Sequence, residues 1–131
     1  MTMSGRIVHF EIPADDVARA RSFYADAFGW TMMPMPEMEY TMVQTGPGTE
    51  QGMPAEPGFI NGGMMHRQEP LTHPIVTVDV EDIDAALRKV EELGGKTLLG
   101  RQPVGDMGFA AYFTDTEGNT VGLWQLARPS S

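Results

Sequence analysis

The chain has 131 residues, 41% hydrophobic and 21% charged, which suits one compact domain or two small modules sharing a core. No apolar run approaches the roughly 18 residues of a membrane helix, and the N-terminal "MTMSGRIVHF" lacks a signal-peptide pattern, so a cytoplasmic protein without a membrane partner is expected. A formal net charge of -9 tells against nucleic-acid binding, and the lack of cysteine removes disulfides and thiolate metal sites.

Residues Ile7 to Ile12 alternate apolar and polar, with Val8, Phe10 and Ile12 on one side and His9 and Glu11 on the other. This period of two predicts a half-buried strand that ends at Pro13. Asp15 or Asp16 can cap a helix whose apolar face is Val17, Ala20, Phe23, Tyr24, Ala27 and Phe28, with Gly29 as its left-handed stop. Trp30 to Met35 and Tyr40 to Thr45 read as strands, and methionines are concentrated there. They serve either as core filling or as a plastic pocket wall. The loop from Gly46 to Gly58, rich in glycine and proline, is either a lid or a surface loop. Phe59 to Met65 reads as a fourth strand in which Gly62 and Gly63 allow a bulge or a close chain approach.

After a linker at about 66–72 the pattern restarts. Pro74, Val76, Val78 and Val80 alternate with His73, Ile75, Thr77 and Asp79. Asp82 can cap a helix with core face Ile83, Ala86, Leu87 and Val90, stopped by Gly94 and Gly95. Lys96 to Leu99, Phe109 to Thr114 and Thr120 to Leu126 read as strands, with a tight turn from Asp115 to Asn119. His9 and His73 are 64 residues apart, Val17 and Ile83 are 66 apart, and Gly29 and Gly94 are 65 apart. Matching offsets and matching element order predict an internal repeat. The expected fold class is α+β, made of two βαβββ modules at about 6–65 and 73–126.

If the helix-free sheet faces of both modules curve toward each other, they enclose a cleft lined by His9, Glu11, Asn61, His73, Thr77, Tyr112 and Trp124. His9 and His73 on such a face are candidate ligands or bases, against the plainer reading of polar residues on a wet sheet.

The segments "HFEIPADDVARARSFYADAFGW", "GGMMHR", "VTVDVEDIDAALRKVEELGGK" and "YFTDTEGNTVGLWQ" give the chain a resemblance to the vicinal oxygen chelate superfamily of glyoxalase I, bleomycin-resistance proteins and extradiol dioxygenases. The last segment is similar to the D-P-x-G-N-x-x-x-L signature of these modules, with Thr116 in place of proline. The resemblance implies metal ligands at His9, Asn61, His73 and Gly122, and through the two histidines a divalent metal such as zinc, nickel, manganese or iron. Asn61 and Gly122 depart from the carboxylates of glyoxalase I and tell against that activity. Glu11, roughly 7 Å along the strand from His9, becomes the candidate base or substitute ligand. Tyr112 would orient substrate, and Asn61, Thr77 and Trp124 would line the pocket. The implied function is a glyoxalase-like enzyme acting on a small vicinally oxygenated metabolite. The alternative is a metal-free small-molecule binding protein of the bleomycin-resistance kind, whose acidic charge suits a cationic compound. A homodimer is expected in either case.

Overall fold

The computed structural model describes residues 5–48 and 54–127. The centre of the 46–58 loop, read above as lid or surface loop, lies outside the described residues. Two compact units result: Val8–Pro74, and a second that joins the stretch ending at Ile7 to Ile75 and the chain beyond it. Each has the element order βαβββ and carries a four-stranded mixed sheet with one helix, an α+β architecture.

In the unit Val8–Pro74, strand β1 (Ile7–Ala14) leads into helix α1 (Val17–Phe28), followed by β2 (Thr31–Met35), a 3-10 turn (Pro36–Met38), β3 (Tyr40–Gln44) and β4 (Asn61–His66). The sheet order is β2-β3-β4-β1, with β1 and β4 parallel and the other pairs antiparallel. Asp16 caps α1 by accepting from Arg19 N at 3.0 Å, and Gly29 closes it at φ 74°, where a Cβ would be strained. Pro13 does not end β1: the strand runs through it to Ala14, because proline's fixed φ fits extended backbone and only one ladder donor is lost. The apolar side of β1 is less covered than its alternation implies. Val8 stays exposed, whereas Glu11 on the other side is buried. The cause lies in α1, which has no buried residue and leaves Phe23 61% and Phe28 63% exposed. Thr41, Val43 and Met64 form the buried centre, and a chain of rings (Phe10, Trp30, Tyr24, Phe28) joins β1 and β2 to the helix, with Tyr24 and Trp30 stacked at 5.0 Å.

The second unit comprises β5 (Ile75–Asp79), α2 (Ile83–Glu92), β6 (Lys96–Val104), β7 (Gly108–Thr114) and β8 (Thr120–Leu126), in sheet order β5-β8-β7-β6. Asp82 caps α2 through Ala85 N, and Gln125 on β8 accepts from Ile83 N at 2.8 Å, so the last strand holds the helix start. The core is aliphatic: Val80, Ile83, Ala86, Leu87, Ala111 and Leu123. β6 is longer than its sequence pattern indicates and passes two register irregularities on the way to Val104. Val76 was expected on the covered side but is 46% exposed, because the core reaches only as far as Val78 and Val80. The turn from Asp115 to Asn119 is built as its residues suggest. Asp115 Oδ1 accepts from Glu117 N and Asn119 N, and hydrogen bonds from Asn119 above all hold its carboxyl below the usual range.

The two helices therefore differ in what they contribute. Ile83→Ala is expected to cost about 2–5 kcal/mol in urea unfolding, because it empties a fully buried site. Phe23→Ser, on the exposed side of α1, should stay within about 0.5–1 kcal/mol.

Candidate functional site

The ladder between β1 and β4 pairs His9 with Asn61 and Glu11 with Gly63, so these residues share the sheet face opposite α1. On β3, Tyr40 pairs with Met65 and Met42 with Gly63, which places Tyr40, Met42 and Met65 on that same face. Met33 and Met35 of β2 join it through their pairing with Met42 and Tyr40. The face thus carries a polar centre with a thioether border.

At the centre, the Tyr40 hydroxyl donates to Glu11 Oε2 at 2.9 Å and lies 2.9 Å from His9 Nε2. The phenol has one proton. Given to the carboxylate, it leaves the phenol oxygen as acceptor, so His9 donates from Nε2 and a neutral ring is unprotonated at Nδ1. Glu11 is 8% exposed and His9 half-buried. Burial pushes the His9 imidazole below its ordinary value of 6.5, and the negative charge of Glu11 opposes that shift without cancelling it. The ring is therefore neutral at pH 7.

Two adjacent glycines make this arrangement possible. A Cβ on Gly63 would stand 1.7 Å from the Tyr40 oxygen and 1.9 Å from its Cζ, so the phenol lies flat on bare backbone. A Cβ on Gly62 would meet the Phe10 ring at 2.5 Å on the other face. The pairings of β4 with β1 and β3 run without a break here. Of the two roles expected of Gly62 and Gly63, close approach is therefore the one realised.

The Asn61 side chain is buried, and its Oδ1 accepts from Thr45 N at 3.0 Å, which ties β4 to the end of β3. His73 lies in an exposed bend two residues ahead of β5. Its pairing with His9 as repeat equivalents is corrected by the helix caps, since Asp16 and Asp82 are 66 residues apart and His9 then matches Ile75. The ladders agree: Glu11 faces Gly63 as Thr77 faces Gly122. In the second unit Thr77 is buried, and a Cβ on Gly122 would lie 2.9 Å from Thr77 Oγ1 and 3.4 Å from Tyr112 Cε1. That position is thus filled by neighbours. Trp124 is half-buried against Gly108, where a Cβ would stand 2.8 Å from its ring. Tyr40 was missed as a site residue because nothing local distinguishes it from any strand tyrosine.

The residues do not fit a metal centre. Among the described residues no group of three or more His, Asp or Glu side chains could hold an ion. The Asn61 oxygen is already engaged, and the two available donors, His9 and Glu11, both bind the Tyr40 hydroxyl. Of two surface crevices, neither is lined by His9 or Glu11, but the larger is bordered by Tyr40. One of about 200 Å³ borders α2 near Leu93, and one of about 410 Å³ lies between Val17, Arg21, Met35 and His66.

Because His9 has a lower pKa in the folded chain than in the unfolded one, the unfolded chain takes up more protons between the two values. The contribution of His9 to stability is therefore full above about pH 6.5 and is lost as pH drops below it. The wild-type chain should lose more of its melting temperature between pH 7.5 and 5 than His9→Gln does. Gly63→Ala should cost about 1–3 kcal/mol by displacing Tyr40, and much of that cost should vanish in a Tyr40→Ser background, a coupling readable from a double-mutant cycle.

The chain is similar to known proteins along nearly all its length. A family described as bleomycin resistance protein-like N-terminal matches residues 6–46. A glyoxylase-like domain-containing protein of Didymella fabae is 33% identical over 125 residues, 92% of this chain and 93% of that one. Two solved structures share the fold. A glyoxalase/bleomycin resistance protein/dioxygenase superfamily member of Vibrio splendidus has a TM-score of 0.60 at 19% identity, covering 95% of this chain and 99% of that one. A methylmalonyl-CoA epimerase variant of Streptomyces coelicolor, in complex with 2-nitronate-propionyl-CoA, has a TM-score of 0.63 at 16% identity, covering 97% and 100%. With a relative of this identity along the whole domain, and a doubled βαβββ fold shared with these structures, the chain belongs to the glyoxalase-like proteins of the vicinal oxygen chelate superfamily.

Proposed function

We propose that the protein is a glyoxalase-like enzyme that moves a proton on a small oxygenated metabolite, with His9, Tyr40 and Glu11 as its acid–base group. The observation that carries this reading is the hydrogen-bonded chain from a buried carboxylate through a phenol to a neutral imidazole. Such a chain orients a base and stabilises the cation formed when it accepts a proton. In the proposed step, His9 Nδ1 takes a proton from a carbon next to a carbonyl, and the C–H electron pair moves onto the carbonyl oxygen as an enolate. The new imidazolium keeps its Nε2 hydrogen bond to Tyr40, and the Glu11 charge stabilises it through the phenol. Return of a proton from His9 Nδ1 to the enolate carbon restores the neutral base and completes exchange or inversion at that carbon. Met33, Met42 and Met65 provide a polarisable border suited to a small organic ligand. Glu11, expected as the base itself or a substitute ligand, acts in this reading on His9 through Tyr40. Asn61, paired with His9 across β1 and β4, is proposed to shape binding at this face. The same reading takes the protein to work in the cytoplasm as a homodimer. No described helix is long and apolar enough to cross a membrane.

The match of residues 6–46 to a bleomycin resistance protein-like family favours a second reading, a binding protein that sequesters a compound without turnover. Its net charge of -9 suits a cationic one.

Proton NMR in deuterium oxide separates the two. Across a panel of α-hydroxycarbonyls, dicarbonyls and acyl thioesters, the first reading expects enzyme-dependent exchange of the α-proton for at least one compound. His9→Gln should slow it about 100-fold or more, and Tyr40→Phe about 10-fold or more. Tight binding of a panel member or a cationic drug with no exchange in any compound would establish sequestration instead.

A further inference from the structure

We infer that the Tyr40 hydroxyl occupies the position from which a divalent cation would bridge His9 and Glu11, so that in this chain a tyrosine proton stands in for the metal. Three observations converge on it. The phenol oxygen lies 2.9 Å from His9 Nε2 and 2.9 Å from Glu11 Oε2, so both potential donors point their ligating atoms at one oxygen. A cation bonding the same two atoms at roughly 2.0–2.2 Å would need the space between them. The phenol is also seated by backbone: Gly63 carries no Cβ, and one there would stand 1.7 Å from the hydroxyl oxygen. Finally, the side-chain oxygen of Asn61, the residue paired with His9, accepts from Thr45 N at 3.0 Å. It is committed to the sheet.

This arrangement has a consequence independent of the reaction proposed above. Removing the phenol should leave an imidazole nitrogen and a carboxylate oxygen aimed at one vacated position, a pair that first-row divalent ions accept. Tyr40 is then a specificity residue that keeps first-row divalent ions out, and Gly63 is the position that admits it. The inference rests on the site's geometry alone, so a metal titration can fail while α-proton exchange succeeds, and the reverse.

The test is titration of full-length, chelator-treated protein with cobalt(II), followed by absorbance and calorimetry, with zinc competition. Wild type is expected to show no stoichiometric, His9-dependent binding. Tyr40→Ala is expected to bind one ion per chain at least 10-fold more tightly than wild type, and Tyr40→Ala with His9→Ala to fall back to the wild-type value. Tyr40→Val, whose branched side chain suits β3, carries the same test if the alanine variant loses its near-ultraviolet dichroism. Wild type binding one cobalt ion per chain through His9 would overturn the inference. So would a folded Tyr40→Ala or Tyr40→Val chain that gains no affinity.

Discussion

Gly62 and Gly63 strip two successive residues of β4 of their side chains, one on each face of the sheet, and the unit Val8–Pro74 is organised around that bare backbone. On the helix side the space admits Phe10, which carries the ring chain through Trp30 and Tyr24 to α1. On the other side it admits Tyr40, whose hydroxyl reaches Glu11 and His9. A strand normally presents alternating side chains that hold neighbours at a fixed distance. Two absences in a row let rings from β1 and β3 lie directly on the main chain. The same glycines thus set both the aromatic packing of the helix and the hydrogen-bonded group of Tyr40, Glu11 and His9.

The second unit uses the same rung differently. Thr77 faces Gly122 where Glu11 faces Gly63, but Tyr112, paired with Gly122, keeps ordinary contact distance from the bare position that Tyr40 covers in the first unit. A hydroxyl replaces the carboxylate and Ile75 takes the place of the histidine. The two units have also diverged in their cores. α2 buries Ile83, Ala86 and Leu87, while α1 buries nothing fully and relies on partly exposed rings. A duplicated plan has therefore been specialised, with aliphatic packing in one copy and polar chemistry in the other.

Glu11 illustrates how a charged side chain is kept inside. Its carboxylate is buried yet accepts from Tyr40, as the high cost of an unpaired buried charge demands. The neighbouring imidazole is kept neutral by burial, and the Glu11 charge limits how far its affinity for protons falls. Membership of a superfamily whose members carry out several chemistries does not select one of them. The character of this site comes from a phenol placed between an acid and a base.

The sequence by itself determined the local elements. The caps at Asp16 and Asp82, the stop at Gly29, the turn from Asp115 to Asn119 and the doubled element order all act within a few residues, and each was legible. The parity of β1 likewise placed His9 and Glu11 on one face. Pairings across strands were not legible. Tyr40 is 29 residues from Glu11 and 31 from His9, and only the register of β3 on β4 on β1 brings them together. The two-residue slip that parts His73 from its apparent counterpart shows only as the difference between offsets of 64 and 66, and face parity does not expose it, since a ladder moved by two residues keeps every side chain on the same face. Capping and alternation are short-range and are written in adjacent residues. Contact between side chains on different strands depends on register and on what the strand between them lacks, and that was decided only when the sheet formed.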